Sequence, residues 1–140
     1  MIYLDTSVAV SLMVSEPKTE DVKIWFAGLT GVLVSSDWLI SEFSSAISIK
    51  LRARELSESD ARSVRKEFKR LMGGGLRVLP VSRAAFQKTA DLAMQHKHGL
   101  RAGDALHLAL ALEIGAKSIA TLDRVMAANA ERLKIKVEMI

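Results

Sequence analysis

Four short apolar runs, Met1–Leu4, Val32–Val34, Leu76–Val81 and Lys117–Thr121, are separated by segments long enough to be helices, and a fifth run, Ile135–Ile140, closes the chain. Runs this short and this continuously apolar belong to strands buried on both faces, not to half-exposed strands with alternating polarity. A sheet buried on both faces needs helices packed on each side. The pattern therefore predicts an α/β fold with a mainly parallel central sheet of about four to five short strands flanked by helices.

The intervening segments carry helix signals. Ser7–Ser15 follows the first strand and is stopped by Pro17, after which Val22, Trp25, Phe26 and Leu29 recur at helical spacing. A helix is expected from Asp37 or Trp38 to Arg54, and another, capped by Ser57, runs to Met72 before Gly73-Gly74-Gly75. Pro80 places the end of the third strand, and Ser82 caps a helix reaching His98, with Gly99 as its C-terminal stop. Arg101 or Ala102 to Ile114 is apolar on nearly every face and so buried, and Asp123–Leu133 forms the last helix. With 140 residues and no repeat or linker, positions 1–140 read as a single domain.

Hydrophobic residues make up 49% of the chain and charged residues 26%, which excludes a disordered protein. There are no cysteines, so disulfides and thiolate metal sites are excluded. An acid stands at position 5, where a signal peptide would be basic, and the run Ala105–Leu112 is too short to span a bilayer. A cytoplasmic protein without a membrane partner is expected. The net charge of +4 suits an anionic partner such as nucleic acid, although charge alone does not identify one.

Four acids stand out by position. Asp5 directly follows the first strand and Asp123 the fourth, and open parallel sheets bind their ligands beyond the carboxyl ends of strands. Helix N-capping explains either residue equally well when taken singly. Glu42 shares a helical face with Trp38, Leu39, Ala46, Ile49 and Ala53, a face expected to meet the core. Asp104 sits in the first turn of the most apolar helix, on the face of Leu100, Arg101, His107, Leu108 and Ala111. A buried carboxylate needs a partner: the helix N-terminus and Arg101 for Asp104, or a distant Lys or Arg for Glu42.

If the four acids converge, their repulsion demands a counter-charge, and Mg²⁺ or Mn²⁺ fits an all-oxygen ligand set. Such a site is used in phosphodiester hydrolysis and needs no nucleophilic side chain. Thr6 and Thr121 offer hydroxyls for waters or phosphate oxygens, whereas Ser7 reads better as a capping residue. His96, His98 and His107 lack zinc-ligand spacing and are assigned surface or packing roles.

Together, Asp5-Thr6-Ser7 after a strand, Ser41-Glu42 in a helix, Arg101-Ala102-Gly103-Asp104-Ala105-Leu106-His107 and Thr121-Leu122-Asp123 resemble the PIN-domain nucleases. The size and the segment Asp104–Ala109 are similar to VapC toxins of toxin–antitoxin pairs. The resemblance covers the whole chain in the family's order. It implies an Mg²⁺- or Mn²⁺-dependent endoribonuclease with Asp5, Glu42, Asp104 and Asp123 as its acids, Asp5 and Asp104 being the primary metal ligands. It further implies an RNA substrate, a VapB-type antitoxin and a homodimer. Met126 departs from the bulkier residue many members carry after the last acid.

Other features are compatible with partners. Arg62, Arg65, Lys66, Lys69 and Arg70 lie close to one helix face, either as phosphate contacts or as a solvated surface. Ile47, Leu51, Val64 and Phe68 either line a groove for an antitoxin segment or pack in the core. Trp25 and Trp38 read as core or dimer-interface residues. The triple glycine lacks the Lys-Ser/Thr ending of a phosphate-binding loop. Two alternatives compete with the nuclease: a phosphatase-like hydrolase using Asp5 as nucleophile, and a non-catalytic RNA-binding module. The first normally places a second acid two residues on, where Ser7 stands, and the second gives no reason for four acids.

Overall fold

The computed structural model describes residues 1–140 and contains a five-stranded sheet in the order β3-β2-β1-β4-β5, every neighbouring pair parallel. The strands are β1 (Ile2–Leu4), β2 (Leu33–Ser36), β3 (Arg77–Leu79), β4 (Ser118–Ala120) and β5 (Lys136–Val137). The helices are α1 (Thr6–Met13), α2 (Thr19–Ala27), α3 (Trp38–Arg52), α4 (Glu58–Arg70), α5 (Arg83–Met94), α6 (Ala102–Glu113) and α7 (Arg124–Arg132). The α/β architecture expected from the apolar runs is thus present.

Strand alternation divides the interior in two. Tyr3 and Ile119 point into a core with Leu92, Leu106, Leu110 and Met126, supplied by α5, α6 and α7. Leu4 and Ala120, one residue further along, point into a second core with Val8, Leu39, Phe43 and Phe68, from α1, α3 and α4. The continuous apolar character of β1 and β4 follows from this: both faces are covered. Phe43 and Phe68 stack at 3.9 Å between centroids and join α3 to α4. A Lys50–Glu16 ion pair of 2.6 Å ties α3 to the α1–α2 turn.

Several elements are shorter than the sequence pattern implies. The expected strand Ile135–Ile140 pairs only at Lys136–Val137, with one further bond from Glu138 N to Ile119 O, because β4 ends at Ala120 and offers no longer ladder. The helix expected to reach His98 stops at Met94; a 3₁₀ turn over His96–His98 follows, and Gly99 takes the left-handed conformation with φ of 67°. After α4, a π-helical turn at Leu71–Gly75 absorbs the three glycines. The face assigned to α3 also needs correcting. Ile49 and Ala53 are exposed, and the fully buried stripe is Leu39 and Phe43, so Glu42 lies at the edge of the apolar surface and not in its centre. No helix is long and apolar enough to cross a membrane.

Candidate active site

In this strand order the chain leaves β1 toward β2 on one side, while β4 and β5 lie on the other. The carboxyl ends of β1 and β4 therefore flank the sheet's topological switch point, where parallel sheets form their ligand crevice. Register brings Leu4 level with Ala120, and Asp5 N donates to Ala120 O at 3.1 Å. Asp5 and the Thr121-Leu122-Asp123 segment emerge side by side as a consequence.

Asp5 is almost fully buried and its carboxylate is held from three directions. Oδ1 accepts from Thr6 N at 2.6 Å, and Oδ2 accepts from Ser7 Oγ at 2.5 Å and Thr121 Oγ1 at 2.7 Å. Ser7 Oγ also accepts from Leu122 N at 2.9 Å, and Thr121 Oγ1 from Asp123 N at 3.1 Å. Ser7, read from sequence as a capping residue, instead joins Asp5 to the loop that carries Asp123. Asp5 does cap α1, and Asp123 caps α7 by accepting from Met126 N at 2.7 Å. Capping is thus true of both residues, and for Asp5 it coexists with the bonds from Ser7 and Thr121.

Glu42 reaches the site from α3, but its partner is neither a lysine nor an arginine. Its Oε2 accepts from Thr6 Oγ1 at 2.5 Å and lies 2.7 Å from His107 Nε2. Burial alone would raise the Glu42 pKa; His107, Thr6 and the nearby Trp38 indole outweigh it and hold the pKa below the usual glutamate range. The Trp38 contribution is that of a neighbouring dipole, since its buried Nε1 makes no hydrogen bond of good geometry. Asp5, Glu42 and His107 each bring a ligand atom within 4.8 Å of the other two.

Asp104 and Asp123 fall outside that tight trio. Asp104, half-buried in the first turn of α6, still registers all of the acids. Burial raises its pKa most, the charges of Asp123, Asp5 and Glu42 push it the same way, and a hydrogen bond to the Arg101 backbone works against them. A bound cation would relieve that crowding of negative charge. Asn129 secures the approach to α6, its Nδ2 donating to His98 O at 2.9 Å and to Val125 O at 2.8 Å.

His107 is the residue that the sequence pattern undervalued. Its packing role is present, since it is fully buried, but both ring nitrogens engage polar groups at the site. The available signal was a histidine three residues after Asp104 inside an otherwise apolar helix, where an imidazole must find partners. His96 and His98 are on the surface, as expected.

A parallel α/β sheet with carboxylates gathered at its switch point defines the class to which this molecule belongs. More particularly, the PIN domain family model matches residues 2–132, and the chain belongs to the PIN domain family. Comparison with curated protein sequences finds no match. Among solved structures, the chain is similar to Mycobacterium tuberculosis VapC20, described as a sarcin-ricin loop cleaving toxin, with 17% identity and a TM-score of 0.74 over 92% of this chain and 95% of that one. FitAcB from Neisseria gonorrhoeae aligns at 21% identity and a TM-score of 0.69, covering 99% of this chain and 97% of that one. VapBC2 from Rickettsia felis, solved on a DNA fragment from its promoter, aligns at 16% identity and a TM-score of 0.64, covering 99% and 98%.

Proposed function

We propose that this protein is a metal-dependent endoribonuclease and the toxin of a VapBC-type toxin–antitoxin pair, acting in the cytoplasm. The observation that carries the nuclease reading is the convergence of acids from separate segments at the switch point: Asp5 and Glu42 are both bonded to Thr6, Asp123 is joined to Asp5 through Thr121, and Asp104 follows Gly103, which abuts Glu42 Oε1. Four carboxyl groups in electrostatic contact suit a hard divalent cation with oxygen ligands, Mg²⁺ or Mn²⁺. Asp5 and Asp104 would hold it. Such an ion supplies Lewis acidity toward a phosphoryl oxygen and lowers the pKa of an attacking water.

The chain's own groups prepare the site for that chemistry. Three hydrogen bonds fix the rotamer of Asp5, so its carboxylate needs no reorganisation on binding. The depressed Glu42 pKa keeps that side chain ionised at neutral pH.

The antitoxin partner has a candidate seat. A groove of about 850 Å³ runs between α3 and α4, with Ile40, Phe43, Ile47, Leu51 and Phe68 along it and Arg62, Arg65 and Lys69 at its rim. Val64, grouped with the groove residues in sequence, turns into the core instead. An apolar floor with a basic rim suits an amphipathic segment carrying acids. Phe86 and Met94 leave apolar surface exposed on α5 that a second copy of the chain would cover in the expected homodimer; sedimentation at micromolar concentration tests it.

Induced expression followed by sequencing of new RNA ends tests the activity. Wild type is expected to create discrete ends and arrest growth, and Asp5→Asn to do neither. Identical RNA-end profiles for the two would remove the nuclease reading.

A further inference from the structure

α6 contributes more to the site than Asp104. His107 lies one turn further along, fully buried among Ala105, Leu106, Leu108 and Ala109. Its Nε2 is 2.7 Å from Glu42 Oε2, 3.1 Å from Thr6 Oγ1 and 3.6 Å from Asp5 Oδ1. Its Nδ1 is 3.0 Å from Tyr3 OH, and that hydroxyl lies 3.3 Å from Ser36 Oγ. The two rings meet edge to face, at 5.6 Å and 68°.

The contact with Glu42 places a proton on Nε2. An ionised carboxylate only accepts hydrogen bonds, so Nε2 must carry the proton it directs at Glu42. In the neutral imidazole Nδ1 is then the acceptor, with Tyr3 OH as donor and Ser36 Oγ–H donating to Tyr3 in turn. Every group in the series Ser36, Tyr3, His107, Glu42 is satisfied in one direction, as a buried polar network must be. Gly103 completes the seat: a Cβ at that position would overlap Glu42 Oε1. Gly103 and His107, four residues apart on one helical face, therefore receive the two oxygens of the same carboxylate.

We infer that His107 is a positioning residue, not a metal ligand: its Nε2–H, oriented by Tyr3 and Ser36, fixes Glu42 against Gly103 so that Glu42 joins Asp5 and Asp104 in the proposed metal site as a preset carboxylate. An imidazole that has committed its Nε2 proton to a carboxylate has no lone pair there for a cation. The arrangement couples β2, β1, α6 and α3 through one polar series. It rests on the metal site proposed above.

Two measurements test the role together. Long-range ¹H–¹⁵N correlation on the metal-free protein is expected to show His107 protonated at Nε2; an Nε2 without a proton would overturn the assignment whatever the metal does. Pulsed electron paramagnetic resonance on the Mn²⁺-loaded protein is expected to show no directly coordinated ¹⁴N, and a histidine ¹⁴N coupling would make His107 a ligand and end the proposal. Mn²⁺ affinity should fall about 10- to 100-fold in His107→Leu and recover to within about threefold of wild type in His107→Gln, which restores a donor near Nε2. Gly103→Ala, which displaces Glu42 without touching the ring, should reproduce the loss if His107→Leu fails to fold. A His107→Gln or Gly103→Ala variant that departs from these expectations while folded contradicts the positioning role. Wild type with no more Mn²⁺ affinity than Asp5→Asn would instead remove the metal site itself, and this role with it.

Discussion

Thr121 joins two of the four acids through one hydroxyl, donating to Asp5 Oδ2 at 2.7 Å and accepting from Asp123 N at 3.1 Å. Thr121→Val preserves the shape of the side chain and removes both bonds. A hydrogen bond to an ionised acceptor contributes about 1.5–3 kcal/mol, and the Asp123 N–H loses its acceptor as well. Taken from the middle of that range, a net cost of about 2 kcal/mol is expected for the metal-free protein. With an unfolding entropy of about 2.1 cal/mol/K per residue over 140 residues, that is a fall in Tm of about 7 °C. Thr121→Ser keeps the hydroxyl and should lose no more than about 1 kcal/mol, for one missing methyl. The assay is a thermal melt in chelator at neutral pH, with Mn²⁺ titration alongside, where Thr121→Val should bind about 10- to 100-fold more weakly. A Tm within about 2 °C of wild type together with unchanged Mn²⁺ affinity would refute the claim that this hydroxyl holds Asp5 in place.

Asp104→Asn should abolish RNA cleavage yet raise the stability of the metal-free protein at neutral pH. The sign follows from the raised Asp104 pKa: protonation favours the folded state, so wild type loses stability as pH rises from the ordinary aspartate range through the higher folded-state value. The advantage of Asn should therefore vanish below pH 3.8, and a melt series showing an advantage that grows toward low pH would contradict it. Leu108→Ala empties a fully buried position in α6 and should cost about 2–5 kcal/mol in a denaturant titration, with a cost below about 1 kcal/mol ruling out the packing described. Arg65→Glu with Lys69→Glu reverses charge at the rim of the α3–α4 groove and should weaken binding of a cognate antitoxin at least tenfold while leaving RNA cleavage by the free toxin intact. Unchanged antitoxin affinity would place the partner elsewhere.

The sheet was legible because β1 and β4 are buried on both faces and therefore read as unbroken apolar runs. Their termini were legible because acids follow each of them. β5 was overestimated for a related reason: Ile135 is buried as α7 closes, and apolar character there continues past the point where β4 can still pair. On α3, helical periodicity placed Ile49 and Ala53 with Glu42, but no residue in the distal half of the helix is fully buried. At the site, the anomaly of acids on apolar helices pointed to Glu42 and Asp104. The partner of Glu42 was hidden, because His107 lies 65 positions away and only the fold brings them together. Ser7 was misjudged because local capping competes with a tertiary contact to Leu122 N, 115 positions distant, that no local pattern encodes.

Asp5, Glu42, Asp104 and Asp123 are proposed to form one metal-dependent nuclease site. Incubating purified wild-type protein with end-labelled RNA in Mg²⁺, in Mn²⁺ and in excess chelator tests it most directly. Defined cleavage products are expected with at least one of the two ions, none with chelator, and none from any of the four single carboxamide variants with either ion. Cleavage that persists in chelator, or that survives in the Asp5→Asn and Asp104→Asn variants, would contradict it.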